Sequence, residues 1–361
     1  MKWLPTRGSQ RQNIEGKLPS NKYLPKFTPL AIGLILFLIG TGIFVSANAS
    51  KIKNLFRSNS FSSSLKKIDN IAADISVKIL DTEFLGSGFV VQQNDKQYTV
   101  ITNQHVLRAG EAPYRIQTPD GKIHLAEVVN TKGKKQFTDS IGSNYEYDLA
   151  ILKFNAEVDY PVAKIGTSLY LEVGEPIYAV GFPYTELESE ASFDVDSNLT
   201  SKTTGLTIKT GRVAIILNQA LVEGYQIGYT NDVKKGMSGG PLLNSRGEVV
   251  GVNGKHAYPL WESPELYQDG SQPCPALEKL ITRSSLAIPI EKSIELNPQL
   301  KALQPASNVE VTRSSNLLSE NPELVAKMQS EAETTAQSCR QYGNDSTNSL
   351  SETELEIGNK E

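Results

Sequence analysis

Gly236-Met237-Ser238-Gly239-Gly240-Pro241 is the stretch on which the reading of this chain turns. A serine set among glycines and followed by a proline describes a tight backbone bend that exposes a hydroxyl. Glycine at 236 permits backbone angles that aim its own N–H alongside that of Ser238. Paired N–H groups of this kind are what a developing oxyanion requires. Gly239 and Gly240 keep bulk away from the hydroxyl, and Pro241 starts the next strand. The plainer alternative is a glycine-rich turn between strands, without chemistry.

On both sides of this turn the texture is β. Short runs rich in Val, Ile, Tyr and Thr occupy Ile75–Leu80, Gly86–Gln92, Tyr98–Asn103, Tyr114–Pro119 and Leu125–Asn130. Others follow at Asp148–Phe154, Pro176–Phe182, Gly211–Leu217, Tyr225–Thr230 and Glu248–Gly254. Gly, Asp, Asn and Pro punctuate them, and no long helical period lies between them. The pattern predicts an all-β barrel or sandwich. The polar, acidic stretch Thr185–Thr204 reads as a surface loop.

Two further pieces carry chemistry. The run Tyr98-Thr99-Val100-Ile101-Thr102 ends just before Asn103-Gln104-His105, which places His105 on a short helical turn. Histidine suits proton transfer near neutrality, although a lone histidine is more often structural. In Tyr147-Asp148-Leu149-Ala150-Ile151-Leu152 an acid precedes an apolar strand. Such an acid can be buried against a histidine and fix its tautomer, or simply cap a strand edge. The three pieces occur in the order His, Asp, Ser, and together they predict His105 as general base, Asp148 as its orienting acid and Ser238 as nucleophile. Gly236 and Ser238 are the expected oxyanion donors.

As a set, these motifs resemble the trypsin-like peptidases, particularly the bacterial branch that includes the high-temperature-requirement periplasmic proteases. The resemblance rests on Gly86-Ser87-Gly88-Phe89-Val90, Thr102-Asn103-Gln104-His105-Val106, Asp148-Leu149-Ala150, Ala179-Val180-Gly181-Phe182-Pro183, Gly236 to Pro241 and Leu286-Ala287-Ile288-Pro289. It spans residues 70–295 and implies two six-stranded antiparallel β-barrels with the active site in the cleft between them. The implied activity is a serine endopeptidase working through an acyl-enzyme on protein or peptide substrates. The alternative is a catalytically inactive protease fold, kept as a membrane-tethered peptide-binding or scaffold protein.

The sequence also departs from the family. Met237 stands where zymogen-type trypsins carry an acid, so activation by a freshly cut N-terminus is not expected. The residues after the barrels are too few and too polar for the PDZ domain of the high-temperature-requirement proteases. Asp232, six residues before Ser238, falls where trypsin-like enzymes place the base of the specificity pocket. A carboxylate there would favour Lys or Arg, unless Asp232 is an exposed turn residue beside Asn231. Asn253 and Gly254, at the end of the strand after the nucleophile, are further candidates for substrate binding. The stretched segment His256–Arg283 is expected near the cleft.

Composition and the chain ends bound the rest. The 361 residues carry a formal net charge of −4, which gives no argument for nucleic acid as a partner. No phosphate loop or metal-ligand cluster is visible, so neither cofactor nor metal is expected. Cys274 and Cys339 read either as free thiols or as one disulfide formed in an oxidising compartment. Residues 1–27 form a basic polar leader. Residues 28–47 contain the apolar run Leu30 to Val45, either a transmembrane helix or a signal-peptide core with Ala47-Asn48-Ala49 as its cleavage site. The protein is therefore expected to be membrane-anchored or exported to an extracytoplasmic space. Residues 48–69 read as a linker and 296–361 as a polar acidic tail. Asn321 and Pro322 open a short helix to Arg340, and disorder is expected from Gly343.

Overall fold

The computed structural model describes residues 65–129, 146–184, 205–258, 265–303 and 321–342, and the backbone of 343–357. The expected leader, the apolar run 28–47, the loop Thr185–Thr204 and Trp261 lie outside these residues. Among the described residues, no helix is long and apolar enough to cross a membrane.

Twelve strands form two closed antiparallel barrels. The first contains β1 (Ser76–Leu80), β2 (Phe84–Asn94), β3 (Gln97–Thr102), β4 (Tyr114–Gln117), β5 (Ile123–Val128) and β6 (Ala150–Asn155), in the spatial order β1-β2-β3-β6-β5-β4. The second contains β7 (Pro176–Gly181), β8 (Thr207–Ile216), β9 (Ile227–Tyr229), β10 (Pro241–Asn244), β11 (Val249–Lys255) and β12 (Ser285–Pro289), in the order β10-β11-β12-β9-β8-β7. Pairing of β1 with β4 closes one barrel, and pairing of β10 with β7 closes the other. Ten strands fall on the runs read from the sequence. Of the other two, β10 starts at Pro241 as expected, and β12 contains the Leu286–Pro289 motif.

Side-chain alternation explains why many of these runs are apolar on both faces. In β3, Val100 packs in the core of the first barrel, while Ile101 turns outward into a second apolar cluster. Leu152 and Ile151 divide in the same way in β6. In the second barrel, Ala179 and Leu242 face that barrel's core, while Val180 and Leu243 join the same outer cluster as Ile101 and Ile151. The shared cluster is the apolar seam that packs the barrels and their helices together.

A helix over residues 65–75, α1, precedes β1 and buries Ile68, Ala72 and Ile75 in the seam. Its spacing is helical, and residues 65–69 are therefore part of this helix rather than linker. α2 (Gln104–Arg108) carries His105 directly after β3. α3 (Pro275–Thr282) and α4 (Ile290–Leu296) flank β12, and a 3-10 turn, Pro298–Leu303, buries Leu300. Core packing thus continues past residue 295.

The tail forms one helix, α5 (Pro322–Ile357), longer than the segment expected to end at Arg340. Asn321 caps it by accepting the N–H of Leu324 at 3.2 Å. Gly343 does not end it: an interior glycine costs a helix only about 1 kcal/mol. The Cys274–Cys339 disulfide ties α5 to the N-terminus of α3. Arg283 pairs with Glu331, and Val325 is buried against Gly174. Of the two readings left open for the cysteines, the disulfide is the one found.

Candidate active site

The first barrel supplies an acid and a base in direct contact. His105 is the second residue of α2, directly after Gln104, and Asp148 lies two residues before β6, the strand that pairs with β3. Pairing of Thr102 with Ala150 brings these two positions together. His105 Nδ1 lies 2.5 Å from Asp148 Oδ2, and the backbone N–H of His105 donates to Asp148 Oδ1 at 2.7 Å. Asn103 Nδ2 donates to the carbonyl of Asp148 at 2.7 Å. Asp148 is 1% exposed, whereas the His105 side chain is 35% exposed. Burial pushes the Asp148 carboxyl up, but the hydrogen bond and charge of His105, with a further bond from Tyr225, outweigh it and hold the group below its ordinary value. A carboxylate on Nδ1 leaves Nε2 as the nitrogen free for chemistry.

The second barrel supplies the serine. Ser238 sits on the turn before β10, and its hydroxyl donates to the carbonyl of Gly254 at 3.0 Å. Gly236 has φ +90°, and a Cβ there would lie 2.6 Å from Phe182 O and 2.7 Å from Tyr184 N, so only glycine fits. The N–H of Met237 donates to Lys234 O, that of Gly239 to Asn253 O and that of Gly240 to Met237 O. Among the described residues, the N–H groups of Gly236 and Ser238 have no hydrogen-bond acceptor. Two neighbouring donors on a rigid turn form a candidate oxyanion site.

Ser87 joins the two halves. Its hydroxyl donates to Gly236 O at 2.7 Å and accepts the N–H of Phe182 at 2.8 Å. Its N–H donates to Ser238 O at 2.9 Å, and its carbonyl accepts the Thr102 hydroxyl at 2.7 Å. One buried side chain from the first barrel therefore fixes the peptide between Gly236 and Met237, while its main chain holds Ser238. The glycines around Ser87 were visible in the sequence, and a small polar residue between them on a buried strand is the signal for this clamp.

Of the two readings left open for Asp232, the exposed turn residue is the one found, and the expectation for Asn253 needs correction. Asp232 is not at the base of a pocket. Its side chain is 65% exposed and paired with Lys234 at 2.7 Å, and the hydrogen bond from Lys234 lowers its pKa. Asn231, one residue earlier, takes the inward position and donates to Ile177 O and Lys209 O. Asn253 is fully buried, with Nδ2 on Val180 O and Pro241 O and Oδ1 accepting from Tyr229. Its side chain braces the barrel and has nothing left for a substrate. Gly254, by contrast, contacts the Ser238 hydroxyl.

The described residues Leu266 and Gln268 of the segment after His256 brace the acid side. Val222 N donates to Leu266 O at 2.8 Å, and Gln268 N to Ala220 O at 3.1 Å. These bonds support the 221–225 loop, from which Glu223 O accepts the N–H of Asp148 at 2.8 Å and Tyr225 donates to Asp148 Oδ2. Tyr225 lies inside an apolar β run, so nothing local in the sequence marked it. Among the described residues no cluster of His, Cys, Asp or Glu could hold a metal.

The two six-stranded barrels thus place a His–carboxylate pair on one barrel and a serine on a glycine turn on the other. Residues 86–252 match the family model described as Trypsin-like peptidase domain. It is 29% identical over 228 residues, 62% of its length, to a "Probable periplasmic serine endoprotease DegP-like" of Pseudomonas savastanoi pv. phaseolicola. It is 32% identical over 169 residues, 46% of its length, to a "Putative serine protease HhoA" of Synechocystis sp.. It is 30% identical over 174 residues, 48% of its length, to a "Serine protease Do-like HtrA" of Lactobacillus helveticus. The match covers 36% of each of these relatives.

Proposed function

We propose that this protein is a serine endopeptidase with Ser238 as nucleophile, His105 as general base and acid, and Asp148 as the orienting carboxylate. Ser238 Oγ bonds to the carbonyl carbon of a peptide while its proton passes to His105 Nε2. The carbonyl oxygen becomes an oxyanion held by the N–H groups of Gly236 and Ser238. Collapse breaks the C–N bond, and His105 returns the proton to the leaving amine. Water then adds to the acyl-enzyme, giving its proton to His105, and a second collapse frees the acid and restores Ser238. The resting hydroxyl donates to Gly254 O, so it turns from that carbonyl toward His105 before attack.

The observation that carries this reading is the buried Asp148 carboxylate, with both oxygens on His105. The unaccepted N–H pair at Gly236 and Ser238 supports it. Export to an oxidising compartment is supported by the Cys274–Cys339 disulfide and by relatives named as periplasmic. Anchoring through residues 28–47 is part of the same proposal. A second reading, an inactive peptide-binding module, draws on the Ser238 hydroxyl being directed at Gly254 O. Casein hydrolysis separates the two: Ser238→Ala is expected to lower turnover by at least roughly a thousandfold. Equal rates for variant and wild type would overturn the assignment.

A further inference from the structure

We infer that Tyr225 is a positioning residue for the Asp148–His105 pair, and that position 254 is glycine to admit its phenol. Tyr225 has this role in catalysis only if Asp148 orients His105 as proposed above.

Asp148 lies on the first barrel, yet two of its hydrogen bonds, with Glu223 and Tyr225, come from the second. The 3-10 turn Val222–Gly224 of the second barrel crosses to it. Glu223, in the left-handed region at φ +64°, turns its carbonyl onto the Asp148 N–H. Two residues later the Tyr225 hydroxyl donates to Asp148 Oδ2, the same oxygen that faces His105 Nδ1. Tyr225 is fully buried. A carboxylate oxygen can accept from both donors at once. With His105 N on Oδ1, three donors fix the carboxylate plane. The carboxylate plane in turn sets the direction of the imidazole.

Gly254 makes room for this arrangement. It lies at the register shift between Asn253 and Lys255, where β11 leaves regular pairing with β12. A Cβ at 254 would collide with Cε1, Cζ and Oη of Tyr225. Any other residue there would push the ring off the carboxylate. The ring's other neighbours hold it in place. Lys255 Nζ stands 4.9 Å from its centroid and is itself paired with Glu265 at 2.8 Å. A cation over the face draws electron density from the phenol and strengthens its O–H as a donor. Burial, and then the charge of Asp148, raise the Tyr225 pKa well above its ordinary value, so the phenol keeps its proton.

Tyr225→Phe tests the inference, because it keeps the ring and removes only the donor. On a peptide substrate kcat is expected to fall about tenfold or more with KM changed less than about twofold. The proton resonance of His105 Nδ1–H, assigned by its loss in Asp148→Asn, is expected to shift. Gly254→Ala, a second route to the same displacement, is expected to lower kcat and to be no worse when combined with Tyr225→Phe than alone. An active wild type with an indifferent Phe variant and an unmoved proton would reduce Tyr225 to packing and leave the peptidase reading standing. An inactive wild type whose His105 proton still moves in the Phe variant would overturn the peptidase reading and keep the positioning contact.

Discussion

Asp148 is 1% exposed and takes hydrogen bonds from His105 N, His105 Nδ1 and Tyr225, whereas Ser238 gives its hydroxyl to one carbonyl and stands between two N–H groups without acceptors. The acid end has every lone pair it needs occupied and no freedom left. The serine end keeps the N–H groups of Gly236 and Ser238 open on the glycine turn. Under the proposed roles, the difference follows from what each end has to do. A group that orients another works best when immobile, and a group that meets a transient charge needs unfilled donors in fixed positions.

The largest break in this comparison is at the acid. Asp148→Asn keeps the shape and removes the charge, and should lower kcat by about a thousandfold or more, measured on a peptide substrate. It should also change acid stability. Because the folded-state pKa of Asp148 lies below the ordinary 3.8, its carboxylate adds stability that is full above about pH 4. That contribution is lost as pH falls through the lower folded-state value. The gap in urea midpoint between wild type and Asp148→Asn should therefore be widest near neutrality and close at strongly acid pH. A gap that widened toward acid would contradict the assignment.

A smaller effect is expected at the clamp. Ser87→Ala removes the donor to Gly236 O and the acceptor for Phe182 N. The oxyanion turn would loosen while the His105–Asp148 pair stayed intact. A loss of about tenfold to a hundredfold in kcat, with the His105 proton resonance unmoved, would locate the damage at the nucleophile end. A shifted resonance would show instead that the two ends are not separable. The smallest effect is expected at Asp232, exposed and paired only with Lys234 among its described contacts. Asp232→Ala should leave the kcat/KM ratio between Lys and Leu substrates within about twofold of wild type. Loss of a Lys preference would return Asp232 to the specificity pocket.

The same contrast sets how much was legible in the sequence. Residues that act through their own backbone neighbourhood, such as Gly236 and Ser238, leave a local signature, because a turn that exposes a hydroxyl requires glycines at fixed spacing. His105 and Asp148 were legible from their places at the ends of apolar strands, and the strand runs themselves predicted β structure. Closure into two barrels was implied by the resemblance to the trypsin-like peptidases. Tyr225 left no signature, since its contact with Asp148 arises only when a loop of one barrel crosses to the other. Asp232 was left with two readings for a simpler reason. In an extended segment the inward position alternates, and Asn231 and Val233 take it. Sequence spacing alone did not fix that parity. The helix over 65–75 was hidden by its short length and basic start, although Leu65, Ile68, Ala72 and Ile75 keep helical spacing.

The claim that Ser238 is an activated nucleophile is tested most directly by covalent labelling. Protein treated with a fluorophosphonate and digested should carry one adduct, on the peptide containing Ser238. Labelling should slow by at least roughly a thousandfold in His105→Ala while Ser238 is still present. An unlabelled wild type, or a His105→Ala variant labelled as fast as wild type, would contradict the account.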